Sequence, residues 1–241
     1  MADLLPRRLR YALRGLAHRG DARYCPVCEG SSARFHPWGE VTPRPDAICP
    51  RCGSVERHRL LWLHLKDTDL FDGSRKTVLH VAPERALEPI FRAHLGDAYL
   101  TADLSNPRAM VKMDVTKIAY PDASFDVIYC SHVLEHVPDD HAAMREFHRV
   151  LKPSGWAILL VPVTVAQTEE DLAITDPAER LRRYGQDDHV RRYGPDFKDR
   201  LEAAGFQVTV TRAADLADDA GRTRMGLTPA AGDIFHCTRE R

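Results

Sequence analysis

The sequence predicts an α/β protein, a doubly wound and mostly parallel sheet preceded by a small metal-stapled module. Three observations carry this. Short, largely apolar segments, such as 77–82, 125–130 and 156–161, alternate with helical stretches, as strands of a parallel sheet covered on both faces do. Four cysteines stand in two Cys-Pro-x-Cys pairs, Cys25 with Cys28 and Cys49 with Cys52. A turn cluster, Phe71-Asp72-Gly73-Ser74, separates the two regions.

The 241 residues leave room for one ordinary domain and a small module. Net charge is −1 but uneven, with eleven Lys/Arg against six Asp/Glu in the first 60 residues. Over residues 1–24, Arg7, Arg8, Arg10, Arg14, Arg19 and Arg23 interleave with Leu5, Leu9, Leu13 and Leu16, the pattern of a basic amphipathic helix. Such a helix suits RNA or an anionic surface, or else packs its leucines on the body with its arginines in water. No apolar leader follows Met1, and the longest apolar run, Trp156 to Val163, is too short to cross a bilayer. With so many thiols and no export signal, the expectation is a cytoplasmic protein with no membrane partner.

In the module, residues 25–53, each cysteine pair puts two thiolates on one side of a tight turn. Together they complete a tetrahedral shell for a structural Zn2+, the arrangement of a zinc ribbon. Gly30 and Gly53 supply backbone freedom beside the two turns. A closed shell leaves no position for substrate, so chemistry is expected elsewhere. Residues 54–75 read as a connecting helix over 55–65, capped by Ser54, and a linker. Residues 76–241 form the main domain. Its strands are expected at 77–82, 98–103, 111–113, 125–130, 156–161, 205–210 and 234–238, with helices at 84–94, 139–151 and 196–204.

Right-handed crossovers place the ligand crevice at the carboxyl ends of such strands. Asp103, ending the second strand, stands where these sheets hold a ribose by its hydroxyls. Asp114, after the third, can accept from an exocyclic amine. The stretch 163–193 is longer than a plain connection and polar, as a substrate-side lid or insert would be. Its end holds Gln186, His189, Arg191, Arg192 and Tyr193 as candidates to touch substrate, and His189 has the intrinsic pKa of a general base. The run His132-Val133-Leu134-Glu135-His136 matches a zinc-peptidase pattern, but Pro138 denies it the helix that chemistry needs. Cys130 and Cys237 fall on strands and read as small buried hydrophobes.

The stretch from Asp114 to Val161 holds Pro121-Asp122-Ala123-Ser124-Phe125-Asp126-Val127-Ile128, then His132-Val133-Leu134-Glu135-His136-Val137. It closes with Arg149-Val150-Leu151-Lys152-Pro153-Ser154-Gly155. It resembles the class I S-adenosylmethionine-dependent methyltransferases, and within them the subgroup acting on small molecules and some RNAs. The resemblance implies a seven-stranded Rossmann-like sheet with one antiparallel strand, and S-adenosyl-L-methionine across the first, second and fourth strand ends. It assigns His80, Val81, Ala82, Pro83 and Glu84 to the methionine moiety, with Glu84 on its ammonium group. It assigns Asp103 and Leu104 to the ribose and Asp114 and Val115 to the adenine. Ser131 and His132 would flank the sulfonium, with His132 or His189 as base. The family's Gly-x-Gly pattern in the first loop is missing here, where the chain reads Leu79-His80-Val81-Ala82-Pro83-Glu84. A small-molecule acceptor is the first expectation. A zinc-ribbon RNA methyltransferase and a non-catalytic zinc-ribbon binding protein are the alternatives.

Overall fold

The computed structural model describes residues 11, 13, 15–39 and 43–239. Of the basic N-terminal stretch, Leu5, Arg7, Arg8, Leu9, Arg10 and Arg14 lie outside the described residues. Residues 11, 13 and 15–17 are helical. Leu13 and Leu16 are 49% and 55% exposed, so these two leucines do not bury themselves as the packed version of that helix required.

The chain divides into two compact units. One gathers the chain up to Asp72 together with Glu84–Phe91 and Thr211–Gly232, and the other holds Gly73–Pro83, Arg92–Val210 and the chain from Asp233 on. The sequence cut at residue 75 put Glu84–Phe91 and Thr211–Gly232 in the main domain, whereas the structure gathers both with the N-terminal unit.

The first unit begins with two hairpins. β1 (Arg23–Cys25) pairs antiparallel with β2 (Gly30–Ser32), and β3 (His36–Trp38) with β4 (Arg44–Ile48). After the second cysteine pair, α1 (Glu56–Lys66) starts from Val55. Ser54 does not cap it, because its hydroxyl lies 3.1 and 3.2 Å from the sulfurs of Cys25 and Cys52. Glu84 joins this unit through His58 Nε2, 3.2 Å away, and Arg57, 3.6 Å away.

The C-terminal segment contributes two short helices, Ala213–Leu216 and Asp219–Met225. Arg59 of α1, fully buried, binds the end of the second. Its guanidinium donates to the carbonyls of Met225 and Gly226 at 2.5 and 3.0 Å, and to those of Ala47 and Ser54, both at 2.9 Å. It also lies 4.5 Å from the centroid of Phe35. Gly226 closes that helix at φ +60, and a side chain there would stand 2.9 Å from the Asp46 carbonyl. One side chain thus joins ribbon, helix and a segment more than 160 residues away.

The second unit is built on a seven-stranded sheet ordered β12-β13-β9-β8-β5-β6-β7. The strands are β5 (Val78–Val81), β6 (Tyr99–Asp103), β7 (Val111–Lys112), β8 (Phe125–Ser131), β9 (Leu151–Leu160), β12 (Phe206–Thr211) and β13 (Ile234–Arg239). β5 runs parallel to β6 and β8, β6 to β7, and β8 to β9, while β13 is antiparallel to β9. The carboxyl ends of β5, β6, β7 and β8 therefore share one edge. All seven expected strands are present, the fifth starting at Leu151 and so five residues earlier than its apolar run. Leu79, Ile128, Phe147, Leu159, Phe197 and Phe235 fill the core, together with Cys130 and Cys237.

The expected helix over 84–94 begins only at Glu88 and ends at Leu95, because Pro89 fits the first turn of a helix but not its interior. A second helix, Asp140–Val150, is capped by Asp139, whose carboxylate accepts from Ala142 N at 2.8 Å. The long connection 163–193 is folded. β10 (Glu169–Glu170) pairs antiparallel with β11 (Arg191–Arg192), and the helix Pro177–Tyr184 lies between them. Among the described residues no helix is long and apolar enough to cross a membrane.

Replacing Arg59 by Ala strands the buried carbonyls of Ala47, Met225 and Gly226, each costing about 1–3 kcal/mol when unpaired, while Ser54 O keeps its bond from Cys49 N. The variant is expected to lose roughly 3 kcal/mol or more of stability, with protease cleavage appearing first within 15–72 and 211–232. Denaturant melts and limited proteolysis check both.

Candidate functional site

An open cavity of about 550 Å3 lies at the shared strand edge of the second unit. Its walls come from four strand ends: Val81 and Ala82 after β5, Asp103, Leu104 and Ser105 after β6, Met113 to Thr116 after β7, and His132 and Val133 after β8. The turn His136 to Asp139, and Asp188 from the long connection, complete it.

Asp103 folds its own loop. Its Oδ1 accepts from Ser105 N at 2.8 Å and Asn106 N at 2.7 Å, and Oδ2 takes no protein donor among the described residues. Asp114 repeats the device one strand over. Its Oδ1 accepts from the Thr116 hydroxyl at 2.7 Å and from Thr116 N at 2.9 Å. Those bonds hold its carboxyl below the ordinary range, so it is a carboxylate at neutral pH. Two charged acceptors thus stand at neighbouring strand ends, each fixed by one oxygen and open at the other. A ligand with a diol and an amine suits that spacing of acceptors.

The glycine-free first loop has a backbone answer. Ala82 sits at φ +50, in the left-handed region that glycine normally supplies. Its N–H donates to Ala102 O at 2.8 Å, so the β5–β6 ladder holds it there. His132, ending the adjacent β8, is likewise left-handed at φ +55, with its N–H on Leu160 O at 2.9 Å.

After His132 the chain makes a single 3-10 turn, Leu134–His136. The two histidines of the peptidase-like pattern therefore do not share a helix face. His132 Nδ1 lies 3.3 Å from Glu135 Oε1, and His136 Nδ1 lies 3.1 Å from Asp188 Oδ2. Arg191, 1% exposed, fixes the turn. It donates to the carbonyls of Leu134 and Pro138 at 2.7 and 2.8 Å, to that of Val137, and to Glu170 Oε2 at 2.9 Å.

Several candidates from the sequence fall elsewhere. His80 is fully buried in the sheet with Nδ1 2.6 Å from Tyr99 Oη, and Ser131 is buried as well, so neither lines the cavity. Pro83 is also absent from its walls, and Glu84 belongs to the first unit, bound to His58 and Arg57. Tyr193 is in the core, donating to Asp140 Oδ2 at 2.6 Å, and cannot touch substrate. Burial beside Asp140 drives its hydroxyl pKa far up. Arg191 grips its own backbone, and Arg192 donates to the Thr164 carbonyl at 3.0 Å and its hydroxyl at 3.1 Å. Gln186 is exposed and off the cavity wall. His189 is buried and off the wall too, and burial together with nearby His136 lowers its pKa. Of the sequence candidates, Val81, Ala82, Asp103, Leu104, Asp114, Val115 and His132 lie on the cavity wall. Asp188 was not singled out in the sequence, because an exposed Asp in a polar loop carries no signal.

In the first unit the four cysteines converge, their sulfurs all within 4.8 Å of one another. Cys25 and Cys52 are 3.6 Å apart, and Cys28 and Cys49 3.9 Å. Zinc–sulfur bonds of about 2.3 Å give a tetrahedron edge of about 3.8 Å, whereas a disulfide would need about 2.05 Å. The thiols fit the ion and not the bridge. Hydrogen bonding with Cys25, Cys28 and Cys49 pushes the Cys52 thiol up, an effect a cation among the sulfurs would oppose.

Residues 95–159 match the family model described as a methyltransferase domain. Among curated proteins, the chain is 36% identical over 150 residues to 27-O-demethylrifamycin SV methyltransferase of Amycolatopsis mediterranei, covering 60% of this chain and 50% of that one. It is 34% identical over 106 residues to phosphoethanolamine N-methyltransferase 3 of Arabidopsis thaliana, covering 44% and 20%. The chain thus spans half or less of the length of these relatives. Among solved structures, an S-adenosylmethionine-dependent methyltransferase from Mesorhizobium loti superposes with TM-score 0.52 at 18% identity, covering 73% of this chain and 95% of that one. The Burkholderia thailandensis 1,6-didemethyltoxoflavin-N1-methyltransferase, solved with 1,6-didemethyltoxoflavin and S-adenosylhomocysteine, gives 0.51 at 17% identity, covering 77% of each.

Ala82→Gly removes a left-handed alanine, a conformation that costs an L-residue about 1–2 kcal/mol. After the entropic cost of glycine, the variant is expected to gain about 0.5–1 kcal/mol, whereas Ala82→Val should lose stability. Equilibrium denaturation of the two variants measures the sign directly.

Proposed function

We propose that this chain, whose second unit carries a class I S-adenosylmethionine-dependent methyltransferase domain, transfers a methyl group to an oxygen or nitrogen of a small metabolite or natural product. The observation that carries the reading is the pair of fixed, half-open carboxylates, Asp103 and Asp114, around one cavity beside the left-handed Ala82. When bound, S-adenosyl-L-methionine supplies an electrophilic methyl on a sulfonium. Asp103 would hold the ribose hydroxyls through its open Oδ2, and Asp114 the adenine amine, with Val115 beside the ring. The backbone at Val81 and Ala82 admits the methionine portion. His132, held through Nδ1 by Glu135, presents Nε2 as the group able to take a proton from the acceptor. Most of the acceleration in such a transfer comes from holding donor and acceptor in line. The acceptor class draws support from relatives whose names specify a rifamycin, phosphoethanolamine and a toxoflavin precursor.

In the same reading the cysteines hold a structural zinc ion. A closed thiolate shell binds no substrate, and its role is to supply the stability that two hairpins with arms of three to five residues cannot.

Calorimetry with S-adenosylmethionine and S-adenosylhomocysteine tests the first part. Wild-type protein should bind at micromolar concentration. Asp103→Asn should bind about 10–100-fold more weakly, since it keeps the Oδ1 turn but replaces the open acceptor with a donor. Absence of binding to folded, zinc-loaded protein would turn the reading to a non-catalytic binding module. For the second part, purified protein should carry one tightly held zinc. A strong chelator should lower the melting temperature and expose residues 15–53 to protease, and an unchanged melt would refute a structural ion.

A further inference from the structure

Behind the cavity wall, ligand atoms of Glu135, His136 and His189 lie within 4.8 Å of one another. Two of the three residues are almost fully buried, Glu135 at 1% exposure and His189 at 6%. In each, one polar atom has no hydrogen-bond partner: Glu135 Oε2 and His189 Nε2. A buried carboxylate oxygen and a buried imidazole nitrogen left unpaired cost stability at both atoms unless something between them is bound.

The atoms on the far side of each group are all held. Glu135 Oε1 faces His132 Nδ1 at 3.3 Å, and His136 Nδ1 faces Asp188 Oδ2 at 3.1 Å. The Tyr184 carbonyl bonds to the His189 ring. Each residue is thus oriented by one atom and open at the other, as metal ligands are oriented by their outer partners. The Asp188 contact engages His136 through Nδ1, which leaves Nε2 as the ring nitrogen turned away from the carboxylate. His136 and His189 also meet edge to face, with ring centroids 4.6 Å apart.

We infer that Glu135, His136 and His189 form a binding site for a divalent first-row transition-metal ion, separate from the four-cysteine site. Two imidazoles and one carboxylate suit zinc, manganese, iron or cobalt, and three protein ligands leave coordination positions open. His136 and Asp188 also line the cavity, so those positions border it. On the methyl-transfer reading, an acceptor hydroxyl coordinated there gives up its proton to water more readily. Its oxygen pair then forms the bond to the methyl carbon while the carbon–sulfur bond breaks and its pair returns to sulfur.

The test is a cobalt(II) titration of zinc-loaded wild-type protein without S-adenosylmethionine, followed by visible absorption and calorimetry. One equivalent should bind, with weak ligand-field bands and without the intense thiolate charge-transfer that displacement of ribbon zinc would produce. Exposed Asp188, changed to Ala, should weaken cobalt binding 10–100-fold, and half-exposed His136, changed to Ala, should abolish it, both with unchanged melting of the apo site. No uptake by the wild type, or wild-type affinity in both variants, overturns the site. The titration does not involve the methyl donor. A failed cobalt site therefore leaves donor binding intact, and failed donor binding leaves the cobalt result standing.

Discussion

The cavity depends on a buried guanidinium. The turn after β8 contains Pro138 and only one 3-10 turn, so its carbonyls lack the partners a regular helix would give them. Arg191 supplies those partners, gripping the carbonyls of Leu134, Val137 and Pro138 with its planar fork. The same turn carries His136, Val137 and Pro138 into the cavity wall. Burying that charge is tolerable because Glu170 is 2.9 Å and Asp140 3.7 Å from Nε, and Arg200 pairs with both acids in turn. Tyr193, two residues after Arg191, donates to the same Asp140. The long connection 163–193 is therefore the scaffold behind one wall of the cavity, and only Asp188 reaches the wall itself.

The first unit solves a similar problem the same way. Its cysteine turns and the end of the helix Asp219–Met225 leave carbonyls pointing inward, and Arg59 collects four of them. Here the counter-charge comes from Glu56 and the sulfurs of Cys25, Cys49 and Cys52, which oppose the effect of burial on the guanidinium. The bonds from Arg59 to Met225 and Gly226 gather a segment near the C-terminus with a module near the N-terminus.

What was legible in the sequence follows from this division of labour. Strands announce themselves because a buried parallel strand must be apolar along its whole length, and Asp103 and Asp114 could be found by their place at strand ends. The cysteine spacing was likewise legible, since both ligands of each pair are local. Arg59 and Arg191 were not, because their partners are backbone carbonyls, which have no sequence signature. His189 and Tyr193 misled for the same reason. Polar residues in a polar loop look like solvent or substrate contacts until the fold shows them buried. Ser54 looked like a helix cap because its competing partners, two sulfurs, are brought to it only by folding.

The glycine-free loop is where composition and conformation part company. A Gly-x-Gly pattern serves because glycine tolerates positive φ, but the requirement is on the backbone and not on the residue. At Ala82 the ladder bond to Ala102 continues β5 by one residue, and at His132 the bond to Leu160 does the same for β8. Each of these left-handed residues is thus held at both sides by a parallel sheet whose register leaves it little choice. Such a cost persists only where surrounding structure over-determines the conformation, and the two residues that bear it flank the same cavity. At Ala82 the sheet thus supplies the backbone conformation that glycine would otherwise provide.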